Sequence, residues 1–199
     1  MSNKYNHKKN AGNKADVWKH RVLSTLVNLL KPKTYFESHC GYPFYNKGKM
    51  QFSSYMKVKM QQNCSMVLCD TDIDIRNHIP SGMDIEFIHG DGWLCLYDHP
   101  YSDLCFIDPP YETMDDIIKL ENVLNDIHFL HKPLVAWYPI FEFTNTDNFN
   151  FNSLPRIECE ITEGKLIGCG MVFKNIPEPI MVKVNETINS IDNNLLQAR

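Results

Sequence analysis

The sequence predicts an α/β protein: a mainly parallel, seven-stranded sheet covered by helices on both faces, with an antiparallel hairpin near its carboxy-terminal end. Three observations carry this prediction. Short apolar runs such as Leu104-Cys105-Phe106-Ile107 are continuous rather than alternating, which is the pattern of strands buried on both faces. Longer segments of helical spacing stand between those runs, so the strands are joined by crossovers and lie parallel. The last two strand-like runs, Arg156 to Thr162 and Ile167 to Lys174, are linked only through Glu163-Gly164, which suits a hairpin.

Each element follows from local residue choice. Tyr5 to Gly12 is polar and reads as irregular, and Asn13 is an N-cap for a helix over Lys14 to Leu30. Val17, Trp18, Val22, Leu26, Leu29 and Leu30 give that helix one apolar face, and Pro32 stops it. A strand over Lys33 to Glu37 turns at Ser38-His39-Cys40-Gly41 into Tyr42 to Lys49, which is rich in aromatics, Gly and Lys and carries no predicted element. A short helix is expected over Ser53 to Gln61, a strand over Ser65 to Cys69 ending at Asp70, and a helical piece over Asp72 to His78. The third strand, Ile85 to His89, closes at Gly90-Asp91-Gly92, and one or two helical turns are expected over Trp93 to Tyr97. The strand Leu104 to Ile107 is followed by a helix over Met114 to Leu130, and the fifth strand over Pro133 to Tyr138 is expected to stop at Pro139. Phe141 to Asn152 reads as a loop and as the segment best suited to move, and Ile180 to Leu196 as a closing helix. No internal repeat and no low-complexity linker interrupts the series, so residues 1–199 read as one domain with a basic amino-terminal segment over residues 1–19.

Composition narrows the function classes. A net charge of −4 argues against broad, non-specific grip on nucleic acid, although Lys4, Lys8, Lys9, Lys14 and Lys19 against Asp16 alone make the amino-terminal segment locally basic. The seven cysteines form no C-x-x-C pair and lie mostly in apolar runs, so they read as buried thiols in a reducing compartment. Neither they nor the eight histidines show metal-ligand spacing. The polar amino terminus has no apolar segment of signal-peptide type, and no run reaches membrane-spanning length, so a cytoplasmic location and no membrane partner are expected.

The chemistry centres on Asp108-Pro109-Pro110-Tyr111, directly after the buried strand Leu104 to Ile107. Ligands of open α/β sheets bind outside the carboxyl ends of the strands, which puts this turn where chemistry is done. The exocyclic amine of adenine is a poor nucleophile because its lone pair is delocalised into the ring. The Asp108 carboxylate can accept one of its hydrogens and the Pro109 carbonyl the other, and the two prolines hold that carbonyl in place. Tyr111 offers a flat face for an extruded base. The amine can then attack the methyl group of S-adenosylmethionine, and this four-residue pattern is carried by methyltransferases acting on amino groups of bases or of glutamine.

Acids at successive strand ends complete a cofactor site of Rossmann-like type. Glu37 follows the first strand and suits the methionine ammonium; Asp70 follows the second and suits both ribose hydroxyls; Asp91 follows the third and suits the adenine amine. The turn after the first strand, His39-Cys40-Gly41-Tyr42-Pro43, keeps one glycine where such sites usually carry more.

In six blocks the sequence resembles the RlmJ family of 23S ribosomal RNA adenine-N6 methyltransferases. They are Asn10-Ala11-Gly12-Asn13-Lys14-Ala15-Asp16-Val17-Trp18-Lys19-His20, Glu37-Ser38-His39-Cys40-Gly41, Asp91-Gly92, Ile107-Asp108-Pro109-Pro110-Tyr111-Glu112, Trp137-Tyr138-Pro139 and Gly168-Cys169-Gly170-Met171, in family order. The resemblance implies a Rossmann-like class I methyltransferase with Asp108 catalytic, S-adenosyl-L-methionine as cofactor, and cofactor contacts from His20, His39, Ser54, Asp70, Asp91 and Gly92. It also implies that Tyr5 lies near the target base. The family's helical insertion after the first strand has no room in Tyr42 to Phe52, and its late Asn-Pro-Pro-Trp is here Asn175-Ile176-Pro177-Glu178. The expected substrate is an unpaired adenine in RNA, most simply ribosomal RNA, held through Tyr5, Lys8, Lys9, Lys19 and Tyr111.

Overall fold

The computed structural model describes residues 13–46, 50–99, 101–111, 113–142, 149–151 and 153–197. The first helix, α1 (Lys14–Leu30), starts with a capping box: the Asn13 side chain accepts from the Asp16 N–H, and the Asp16 carboxylate accepts from the Asn13 N–H. It ends at Lys31 in the left-handed region, ahead of Pro32. Then follow β1 (Thr34–Glu37), a small hairpin of β2 (Phe44–Asn46) and β3 (Met50–Phe52), α2 (Ser54–Gln61), β4 (Ser65–Asp70), a 3-10 turn over Ile73–His78, β5 (Ile85–His89) and α3 (Gly92–Asp98). The second half holds β6 (Leu104–Ile107), α4 (Met114–Asn125), a 3-10 turn over Ile127–Phe129, β7 (Leu134–Phe141), β8 (Arg156–Glu163), β9 (Leu166–Lys174) and α5 (Glu178–Gln197).

The main sheet has seven strands in the order β5-β4-β1-β6-β7-β9-β8. The first five run parallel, and β9 pairs antiparallel with both β7 and β8. Strand order reverses between β1 and β6, and their carboxyl ends, Glu37 and Ile107, therefore open on the switch point where ligands bind in such sheets. One apolar layer joins α1, α2 and α5 to one face through Trp18, Leu26, Tyr55, Val184, Tyr35 and Phe106. The other joins α3 and α4 to the opposite face through Trp93, Leu96, Leu120, Phe36, Ile107 and Leu134. The cysteines are free thiols, all buried except the half-buried Cys159.

Four elements differ from the sequence expectation. The aromatic stretch after β1 forms the β2–β3 hairpin, where only a loop is expected. The helix expected to reach Leu130 ends at Asn125, because Asp126 caps a separate 3-10 turn by accepting from the His128 N–H. Strand β7 continues through Pro139 to Phe141. Its pairing with β6 ends at Ala136, so Pro139 has a strand only on the β9 side, and the missing N–H does not break a two-sided ladder. In the segment expected to be a mobile loop, Phe149 and Phe151 are buried and pack against Tyr138 with ring centroids 5.7 and 5.2 Å away. They anchor that end of it in the core.

Candidate active site

Asp108 follows β6, whose four residues are completely buried, and Pro109 is buried behind it. Its Oδ2 accepts a hydrogen bond of 2.5 Å from the ammonium of Lys19, on α1. The same ammonium lies 2.6 Å from Asp16 Oδ1, one helical turn earlier. These are enclosed charges, with the Lys19 and Asp108 side chains 9% and 10% exposed. Burial by itself would lower the Lys19 pKa, but Asp108 and Asp16 outweigh it and hold the group well above its ordinary value. Lys19 is expected from the sequence to help hold the RNA substrate. The structure instead encloses it, with two carboxylates neutralising it inside the site.

Tyr111 stands at the other end of the turn with φ +49, in the left-handed region. Its hydroxyl donates to the backbone carbonyl of Trp137 on β7, and its ring meets the Trp137 ring edge-on, with centroids 5.5 Å apart. The Trp137 ring also lies under the Lys19 ammonium, 5.1 Å from its centroid. Asp16 and Trp137 thus join a site from which the sequence reading leaves them out. For Asp16 the available signal is its i, i+3 spacing to Lys19 on one helix face.

The turn after β1 is tied to its neighbours by backbone bonds. The Ser38 N–H donates to Phe106 O at 3.1 Å, and the Cys40 N–H to Cys69 O at 3.0 Å. Gly41, the turn's one glycine, takes φ +63 and donates its N–H to Asp70 Oδ2 at 2.9 Å. The other Asp70 oxygen accepts from the Asp72 N–H, and the half-buried carboxylate keeps lone pairs for further donors. Asp91 caps α3 by accepting from the Trp93 N–H. Gly92 packs so closely on the β1 turn that a Cβ there would fall 1.9 Å from the Ser38 carbonyl oxygen. His39 takes part in a 2.7 Å hydrogen bond with the Ser38 hydroxyl and meets the Trp93 ring edge-on. Burial lowers its pKa to about 4, so it is neutral at pH 7.

Glu37 differs from its expected role. It is fully buried, and its oxygens accept from the hydroxyls of Tyr35 and Ser54. Burial raises its pKa to about 8 against the opposing pull of those bonds. Glu37 and Ser54 form one enclosed hydrogen-bonded pair under the site, so the charged, open carboxylate expected for a methionine ammonium is not what the fold builds. His20 is buried in α1. Tyr5, Lys8 and Lys9 lie outside the described residues.

No family model and no curated protein matches the sequence. Solved structures do match. A protein from Legionella pneumophila str. Philadelphia 1, described under the family model DUF519, superposes with a TM-score of 0.75 at 22% identity, over 91% of this chain and 92% of that one. Trm1 from Pyrococcus horikoshii, solved with S-adenosyl-L-methionine, superposes with a TM-score of 0.50 at 11% identity, over 88% of this chain. The chain spans 58% of the length of Trm1. The fold is that of the Rossmann-like methyltransferases. Among the described residues no helix is long and apolar enough to cross a membrane.

Proposed function

We propose that this protein is an S-adenosylmethionine-dependent methyltransferase acting on the N6 amine of adenine in RNA. The observation that carries the reading is the Asp108-Pro109-Pro110-Tyr111 turn at the carboxyl end of β6, beside the β1 turn, at the switch point of a methyltransferase-type sheet. The resemblance to the RlmJ family points the same way and favours ribosomal RNA as the source of the adenine.

The residues present fit the cofactor. Asp70 is pinned by two backbone N–H groups and retains acceptor capacity for a pair of hydroxyls. The neutral His39 adds no positive charge beside a cationic ligand. The bound cofactor supplies an electrophilic methyl group. Asp108 accepts one hydrogen of the target amine and offsets the positive charge that grows on its nitrogen, and the Pro109 carbonyl accepts the other. Asp108 Oδ2 shares its lone pairs with Lys19, which fixes the acid in direction. Tyr111 stacks on the base. An acidic chain with so small a basic segment is poorly equipped to open a duplex, which favours an unpaired adenine.

A non-catalytic binding role on the same scaffold is favoured by one observation: Lys19 already occupies Asp108. One experiment separates the readings. Cellular RNA and DNA are incubated with the protein and methyl-labelled cofactor, and the nucleosides are analysed by mass spectrometry. Label in N6-methyladenosine from RNA is the expected result. Label in deoxyadenosine moves the substrate to DNA, and no label in either leaves the binding role.

A further inference from the structure

Trp137 sits on β7 opposite Met171 of β9, one residue past the end of the β6 pairing. Its indole nitrogen is buried beside the Cys169 thiol, a weak acceptor, and meets no stronger hydrogen-bond partner among the described residues. The stronger polar contact of the ring lies on its face. The Lys19 ammonium stands 5.1 Å from the ring centroid, almost out of solvent, and indole has the strongest attraction for a cation of the aromatic side chains. The backbone of the same residue holds Tyr111. A tyrosine rarely adopts φ +49, and the bond from its hydroxyl to Trp137 O, with the edge-on ring contact, fixes it there. Asp108, Lys19, Trp137 and Tyr111 form a connected series that starts and ends on the same turn.

We propose that Trp137 is a positioning residue: its ring face holds the Lys19 ammonium against Asp108, and its carbonyl and ring edge set the conformation of Tyr111. The acid and the stacking ring of the turn are thereby registered to each other from a different strand. This rests on the catalytic reading of Asp108 and Tyr111 given above.

Two measurements test it. The first needs no activity. In the NMR spectrum of the wild type, the ε-methylene protons of Lys19, assigned through bonds from the backbone, should be displaced upfield by the indole ring current, and the displacement should vanish in Trp137→Leu. Unshifted ε-methylene protons in the wild type overturn the proposal. The second uses methyl transfer. Phe and Leu are close in size, but only Phe presents a π-face, so Trp137→Phe should stay within about threefold of wild-type kcat and Trp137→Leu should fall on the order of tenfold or more. Cofactor Kd should be unmoved in both, which separates positioning from general loss of structure. Equal kcat for the Phe and Leu variants, or loss of cofactor binding alongside kcat, overturns the proposal. If the wild type transfers no methyl to any nucleic acid, the catalytic reading fails, and the Lys19 displacement alone decides the placement of Trp137.

Discussion

Removing the cation from the buried Asp16–Lys19–Asp108 cluster should cost more stability than neutralising Asp108. Lys19→Met leaves two carboxylates facing each other in a site where their side chains are 14% and 10% exposed. Breaking a buried ion pair by deleting one partner costs roughly 3–5 kcal/mol, because the remaining charge is desolvated without compensation. Asp108→Asn leaves Lys19 with Asp16 at 2.6 Å and replaces a carboxylate oxygen by an amide oxygen that still accepts. The loss there should be that of a weakened hydrogen bond, about 1–2 kcal/mol. The two variants should therefore differ by about 1–4 kcal/mol in urea denaturation followed by circular dichroism, with unchanged m-values. Activity should rank them differently. Asp108→Asn should lose about a hundredfold or more in kcat while still binding cofactor, since the amide cannot supply the charge that the reacting amine needs. A Lys19→Met protein as stable as wild type, to within about 0.5 kcal/mol, would refute the enclosed cluster. So would an Asp108→Asn protein less stable than Lys19→Met.

Four further outcomes are expected. Burial raises Glu37 from 4.5 to about 8, so its contribution to stability is full below 4.5 and is lost as pH rises toward 8. Burial lowers His39 from 6.5 to about 4, so its contribution is full above 6.5 and is lost as pH falls. Of these two groups, Glu37 alone titrates between 6.5 and 8, and the decline in stability over that window should flatten in Glu37→Gln; an unchanged slope in chemical denaturation would count against the assignment. Gly92→Ala puts a methyl 1.9 Å from the Ser38 carbonyl oxygen and 2.7 Å from His39 Cε1, forcing α3 away from the β1 turn. It should cost about 1–3 kcal/mol and weaken cofactor binding, and an unaltered melting temperature would show that the packing is looser than described. Asp70→Ala should weaken S-adenosylmethionine or S-adenosylhomocysteine binding by roughly 1.5–3 kcal/mol in calorimetry, and no binding by the wild type would remove the enzymatic reading. Tyr111→Phe should cost about 0.5–1.5 kcal/mol of stability through the lost bond to Trp137 O but only modest activity, whereas Tyr111→Ala should lose about 1–3 kcal/mol of base stacking. Equal activity loss in the two would assign the working part to the hydroxyl.

The amino-acid sequence by itself determined the sheet, its crossovers and the turn from Asp108 to Tyr111. Those features are local: a continuous apolar run marks a doubly covered strand, two prolines stop it, and the acid and ring follow within four residues. Leu104 to Ile107, Ile85 to His89 and the helix from Lys14 to Leu30 were therefore legible as they stand. Tertiary structure alone decided what surrounds the turn. Lys19 reads as one of five lysines in a basic segment, and its pairing with Asp108 spans 89 positions of chain, which no local pattern encodes. Glu37 reads as a charged strand end until the hydroxyls of Tyr35 and Ser54 close over it, because the ionisation of a buried acid is set by its enclosure. Pro139 reads as a strand stop, but whether a missing N–H matters depends on whether a strand lies on both sides, and β6 has ended by then. Trp137 reads as one more apolar residue of β7. It becomes part of the site only because α1 and the turn after β6, far apart in the sequence, converge on it, and the physical reason is that cation–π attraction and a carbonyl's hydrogen bond depend on distance in space.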